Sequence, residues 1–395
     1  MNALSGVRVV ELGTMVAVPY AGLMLAQLGA DVIKVEPVGG DPLRRELIQH
    51  GGMSAYFYSV NRGKRSVVLD LKTSAGMRAF RALASQADVV MENWRPGVAE
   101  RLGVRADLLR TQCPRLVTVS VRGFGETGPY ARDRAYDPIV QGVAGVASSQ
   151  GDGRRPELVE TVVCDKVAAL AVVQGVLAAL VQRARTGRGE HVEVNMLSSM
   201  VAFLWPDMLQ GETFADAGAH SEAAERRSAL LVRAGNGKWL VCTATTDAQW
   251  AALCKTVEQP EWSSEFPSRA DMLKHKKEIA ERLTRLWSGK GRDDVLTALR
   301  QADVPCGPVN TLEEMLADPQ VAASESWMLA TRPGLGRVRE PGPMVRLGNQ
   351  ERPAGSLPAP RLGEHTQAVV SELVDGFDAS RDAEAHAGGT GGLEA

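Results

Sequence analysis

Apolar and polar positions follow two rhythms along the first third of the chain. Short apolar runs at 7–12 and 31–36 read as buried strands, and the helical stretch 18–28 between them is closed by Gly29. That is a β-α-β unit. The rhythm continues with a strand at 66–71, a helix at 74–86 and strands at 88–92 and 116–121. Strands separated by helices predict an α/β fold, a Rossmann-like parallel sheet with helices on its faces. A long apolar helix at 167–185 follows. The turn Thr186-Gly187-Arg188-Gly189, a strand at 191–194 and a helix from Leu197 complete the run.

The pattern weakens and then restarts. Residues 1–210 read as the first part of a large domain, and the polar, broken stretch 211–228 as a linker. A strand at 238–243 and helices at 247–256, 272–287 and 293–302 make a smaller α+β domain over 229–325. Pro, Gly and Arg crowd 331–361, which excludes a continuous helix there. The segment 326–386 is therefore expected to return, extended, to the large domain and to dock a helix at 364–374 on it. The glycine-rich 387–395 reads as a disordered tail.

Composition narrows the function classes. At 395 residues the chain exceeds one ordinary core, and 44% hydrophobic with 23% charged residues is the balance of a globular protein. A net charge of -2 and 5% aromatic residues argue against nucleic acid as a partner. The N-terminus shows no secretory pattern, and the uncharged run 167–181 is shorter than the roughly 20 residues a bilayer requires. A cytoplasmic protein without a membrane partner is expected. Five scattered cysteines and six histidines show no spacing for a zinc site.

Asp165 is the most informative candidate for chemistry. It is a lone carboxylate between the apolar stretch Thr161-Val162-Val163-Cys164 and the long apolar helix, and burying it bare would cost several kcal/mol. One reading makes it the helix cap, worth about 1 kcal/mol. The other uses the helix dipole to lower its pKa and keep it ionised, ready to attack an electrophilic carbonyl. Glu36 stands where a dinucleotide-binding acid would stand. The first turn, however, reads Gly13-Thr14-Met15-Val16-Ala17-Val18, without the glycines of a pyrophosphate cradle, so Glu36 is read as structural. Three segments, 61–66, 69–72 and 92–103, combine cations with turn residues after strands, where loops of a parallel sheet converge. With Trp94 among them they suit a phosphate-bearing ligand with an aromatic base; the alternative is a solvated basic surface.

The chain resembles the class III coenzyme A transferases, the family of the formyl-CoA:oxalate and carnitine CoA-transferases, which also includes the α-methylacyl-CoA racemases. The resemblance rests on 28–37 (L-G-A-D-V-I-K-V-E-P), 61–72, 92–103, Gly123-Phe124-Gly125 with Gly128-Pro129-Tyr130, Tyr136-Asp137 and 183–194, in order along nearly the whole chain. It implies that Asp165 is a nucleophile. It attacks an acyl-CoA thioester to form a mixed anhydride, the released thiolate converts this to an aspartyl-CoA thioester, and an incoming carboxylic acid reverses the steps. CoA is then substrate and product rather than a resident cofactor, and no metal is needed. The resemblance assigns CoA contacts to Val16, Lys72, Asn93, Trp94 and Arg101, with weaker support for Arg44, and lines the acyl site with Tyr136 and Asp137. By residue type, Trp94 suits adenine while Lys72 and Arg101 suit phosphates; Tyr136 could equally be a core aromatic.

Two departures matter. Tyr136 stands where the racemase branch has its acid-base histidine, which disfavours racemisation. The stretch 226–237 holds only Gly235 and Gly237, so the glycine-rich lid of formyl-CoA transferases is not evident. The resemblance also implies a homodimer of interlocked rings. The expected activity is CoA transfer between an acyl-CoA and a small carboxylic acid. Intramolecular transfer, epimerisation, or CoA binding without turnover are the alternatives.

Overall fold

A computed structural model describes residues 2–150, 154–215, 229–259, 261–348 and 357–375. Most of the expected linker, the middle of the return segment and the expected disordered tail lie outside the described residues. Residues up to Phe203 with those from Trp327 onward form one compact unit, and Leu204–Ser326 form another.

The first unit is built on a six-stranded parallel sheet. In chain order its strands are β1 (Arg8–Glu11), β2 (Asp31–Glu36), β3 (Arg65–Val68), β4 (Val89–Glu92), β5 (Val117–Arg122) and β6 (His191–Asn195). They lie side by side as β3-β2-β1-β4-β5-β6. Val9 sits between Val32 and Val89 in this register, and all three are buried. Both faces of such strands are covered, which is why they read as continuous apolar runs.

The helices follow from the same pattern. They are α1 (Ala17–Gln27), α2 (Ala55–Asn61), α3 (Ser74–Ser85), α4 (Val98–Leu102), α5 (Ala106–Gln112), α6 (Asp137–Val143), α7 (Val163–Thr186) and α8 (Met196–Met208). Gly29, with φ at 101°, takes the left-handed turn that ends α1. At 24 residues α7 is longer than the sequence suggested, and by length and composition it could cross a bilayer. The expectation that no run reaches that length is corrected. Its stripe of small buried residues, Ala168, Ala169, Val172, Val176 and Ala179, instead lets it pack on α1, β5 and β6. Gly175 marks the close approach, since a Cβ there would stand 2.5 Å from Val192.

The return segment is more ordered than its composition suggested. It forms an antiparallel hairpin, Trp327–Arg332 paired with Gly336–Pro341. Beyond it, the C-terminal helix Thr366–Asp375 packs on α3 and β3. The hydroxyl of Thr366 accepts the Val68 N–H at 3.0 Å and His365 accepts the Ser66 N–H at 3.2 Å, satisfying donors of the edge strand.

In the second unit, antiparallel strands Ala229–Arg233, Trp239–Thr243 and Cys306–Pro308 form a sheet. The first alternates exposed and buried residues, as expected for one covered face. Its core holds Trp250, Trp262 and Phe266, with ring centroids 6.4 Å apart. The single helix expected at 272–287 is two, Arg269–Lys274 and Lys276–Leu286, broken at His275, whose ring lies 5.1 Å from that of Phe266.

Candidate active site

Strand order reverses between β1 and β4, so the loops leaving them open a crevice at the carboxyl edge of the sheet, where ligands of such sheets bind. The side chain of Asn93 after β4 clasps the loop after β1, accepting the Thr14 N–H at 3.0 Å and donating to the Thr14 carbonyl at 2.8 Å. Gly13 permits that turn, because a Cβ there would overlap Val18 at 2.4 Å. Met15 is held in the left-handed region at φ 63°, a conformation costing about 1–2 kcal/mol that the surroundings must enforce. Val16 is buried at the head of α1, whose first turn has no side-chain cap. Its backbone N–H groups are therefore open to an acceptor.

Trp94 lies half-buried on the apolar cluster of β4 and α5, its backbone N–H bonded to Glu92 at 2.6 Å. The guanidinium of Arg101 folds back from α4 to within 3.3 Å of a Cβ position on Gly97, over the same loop. Asn93 thus ties the loop just before Val16 to the segment that carries Trp94. Lys72 is exposed in the loop after β3, and no hydrogen bond or ion pair ties its ammonium to them. Among the described residues, Lys72, Arg95 and Arg101 carry no ion pair, which leaves their charges for a ligand.

Other cations singled out in the sequence are spent inside the fold. Arg62 pairs with Glu340, Lys64 with Glu11 and Arg65 with Asp31, so the segment 61–66 supplies no phosphate-binding charge. Arg44 is bonded to Glu36 at 2.6 Å and its guanidinium lies 3.7 Å from the Phe57 ring centroid. It neutralises Glu36, which also accepts from Ser66 at 2.7 Å and is structural as read. A buried network that the sequence did not reveal lies beneath the crevice. Lys34 donates to Glu11 at 3.0 Å and to the Gly13 carbonyl at 2.8 Å, and pairs with Asp41 at 2.9 Å. Asp41 accepts the Met15 N–H at 3.4 Å, so the network reaches the strained residue itself. A lysine inside an otherwise apolar strand was the available signal.

Asp165 is the third residue of α7, in the first turn. The capping reading is overturned, because Val162 occupies the cap position and no side chain caps that end. What satisfies the free donor is Asp137: its Oδ2 accepts the Asp165 N–H at 3.0 Å, while its Oδ1 accepts from Gln141 at 2.6 Å. The other half of the dipole argument also fails. Burial first, and then the charge of Asp137, push the Asp165 carboxyl up to about 7. The dipole of one exposed helix end does not offset desolvation with a second carboxylate alongside. Val162 packs on the cluster of Val16 and Phe57, which ties the start of α7 to the head of α1.

Asp137 is 3% exposed in the first turn of α6, and Tyr136 just before it is 55% exposed, which excludes the core-aromatic alternative. Tyr56 of α2, unnoticed in the sequence, faces the same pair. Its hydroxyl is raised above its ordinary value by burial and then by the charges of Asp165 and Asp137. A half-buried carboxylate titrating near neutrality beside a tyrosine can ionise and attack an acyl carbon.

Comparison with known proteins identifies the family. The profile of CoA-transferase family III matches residues 4–366. A succinate–glutarate CoA-transferase of Agrobacterium fabrum is 35% identical over 388 residues, spanning 94% of this chain and 95% of its own. A succinyl-CoA:mesaconate CoA-transferase of Haloarcula hispanica is 31% identical over 96% of this chain and 99% of its own. Among solved structures, a CAIB/BAIF family protein from Brucella suis superposes with a TM-score of 0.82 at 30% identity, covering 94% of this chain and all of that one. With sequence and fold matched end to end, the chain belongs to CoA-transferase family III and is a class III CoA-transferase.

Proposed function

We propose that the enzyme moves CoA from succinyl-CoA to a small dicarboxylic acid, with Asp165 as the covalent carrier. The substrate class is supported by the relatives, two of which are named for succinate–glutarate and succinyl-CoA:mesaconate transfer. The observation that carries the role of Asp165 is its placement: first turn of α7, half-buried, without an ion-pair partner among the described residues, and beside Asp137 at a helix start that packs on the cluster of Val16.

An Asp165 oxygen attacks the succinyl-CoA carbonyl carbon, the C–S bond breaks, and CoA leaves as thiolate. The thiolate attacks Cγ of Asp165, expelling succinate and leaving an aspartyl-CoA thioester. The acceptor carboxylate then attacks this thioester and the sequence runs backward, so the thioester's energy is conserved. Trp94 would stack on the adenine and Arg101 and Lys72 would meet phosphates, holding CoA through the exchange. Excluding water protects the anhydride. Tyr136 in place of an acid-base histidine argues against epimerisation.

The test is a donor–acceptor screen, succinyl-CoA against labelled dicarboxylates, followed by mass spectrometry. Exchange in the wild type together with a hydroxylamine-sensitive CoA adduct on Asp165 is expected. An Asp165→Asn variant that still exchanges CoA overturns the assignment. Exchange of α-protons without CoA transfer would make the enzyme an epimerase.

A further inference from the structure

We propose that Asp137 is a positioning residue that also acts through its charge: buried and negative, it destabilises the ionised nucleophile and so favours the covalent states in which Asp165 is neutral. This rests on the role proposed for Asp165 and adds a cause for its reactivity.

The geometry carries the argument. Asp137 is 3% exposed, and its Oδ2 stands 3.0 Å from the backbone nitrogen of Asp165. Its remaining side-chain bond, to Gln141, is from a neutral amide. No lysine, arginine or histidine among the described residues pairs with either carboxylate. The groups packed around Asp165 are Tyr56 from α2, Asp137 from α6, and Cys164 and Lys166 on α7 itself; the Lys166 ammonium is turned to the hydroxyl of Thr161. The thiol of Cys164 is pushed up to about 12, by burial and then by both carboxylates, so the field of the pair reaches beyond Asp165. A cation here would have held Asp165 permanently ionised and weakly nucleophilic. A second carboxylate does the reverse.

The reaction removes the repulsion in its first step and keeps it removed through the second. On anhydride formation the negative charge leaves Asp165 with the CoA thiolate. When the thiolate returns to Cγ, the charge leaves with the product carboxylate. In both covalent states Asp165 is neutral and Asp137 stands alone, still bonded to Gln141 and to the Asp165 N–H. A more basic carboxylate is also the better nucleophile. A helix-capping oxygen would fulfil the structural part of this role without charge; the charge is what matters for the chemistry.

The test compares the wild type with Asp137→Asn, whose amide oxygen can still accept the Asp165 N–H, and with Asp137→Glu, which restores the charge. Two readouts are the pH profile of kcat/KM for succinyl-CoA and the covalent fraction of enzyme by intact mass at pH 8. In Asp137→Asn the acid limb is expected to move down by about one pH unit and the ratio of covalent to free enzyme to fall about tenfold, with Asp137→Glu returning both toward wild type. A profile and covalent fraction unchanged in folded Asp137→Asn would leave Asp137 a cap and overturn the proposal. Should that variant not fold, carbon-13 titration of both carboxyls in the wild type decides: an Asp165 signal that shows no second inflection as Asp137 ionises overturns it, and one that shifts with Asp137 supports it. If no adduct ever forms on wild-type Asp165, the proposed function fails first, and the two failures are distinguished.

Discussion

At Asp165 one carboxyl group sets both activity and stability. The folded chain keeps its proton up to about pH 7, whereas the ordinary value is 3.8. Folding therefore binds a proton between these values, and stability falls as pH rises through that window. Asp165→Asn removes this penalty. Discounted for partial solvent access, the variant is expected to be about 2 kcal/mol more stable than wild type at pH 8 and little different at pH 4, by denaturant titration at both values. Its transfer activity should vanish, while wild-type activity should rise with pH as Asp165 ionises. Trp94→Ala should weaken CoA binding by about 1–3 kcal/mol, the range of aromatic stacking on a base, measured calorimetrically. Asp165 stood out in the sequence because a lone carboxylate beside a long apolar helix demands a reason, and the family resemblance supplied its proposed role. Its neutral state at moderate pH was not, since Asp137 is 28 positions away in sequence and only folding sets the two charges together.

Among the elements, α1 departs from what helix propensity alone would choose. Gly22 lies within it, and replacing glycine by alanine in a helix normally gains about 1 kcal/mol. Here a Cβ would stand 2.0 Å from Glu11 Oε2, the carboxylate that bridges Lys34 and Lys64 at 3.0 and 2.7 Å. Gly22→Ala should therefore cost about 3 kcal/mol or more, because displacing Glu11 leaves two buried ammonium groups short of a partner. Thermal or urea unfolding would show it, and a stabilised variant would contradict the account. The strands of the parallel sheet and several helices were read to within a few residues, since β2 is bounded by the same Asp31 and Glu36 and the helix Asp247–Thr256 is as expected. The start of α7 was misplaced by four residues because one donor of its first turn, the Asp165 N–H, is satisfied from another helix, which no local pattern encodes.

For the molecule as a whole, exposed apolar surface argues for a second copy. Leu170 and Val181 on α7, Ile139 and Val143 on α6, and Phe203 are each 44 to 58% exposed, an unusual loss for aliphatic and aromatic side chains in a single chain. We expect the enzyme to be a homodimer, with light scattering after gel filtration giving twice the mass of one chain; a monomer at micromolar concentration would refute this. Charged substitutions at Leu170 and Val181 together should shift the enzyme toward monomer if α7 is buried between the copies. The alternation of apolar runs and helical stripes by itself determined the parallel sheet and the two separate cores, because burial of apolar faces is a local, periodic demand. Only the tertiary structure decided which cations remain free for a ligand and which are consumed by Glu36, Glu340 and Glu11. It alone also joined Asp137 to Asp165, because the energy of a charge depends on its neighbours in space and on the water excluded around it, neither of which has a period along the chain.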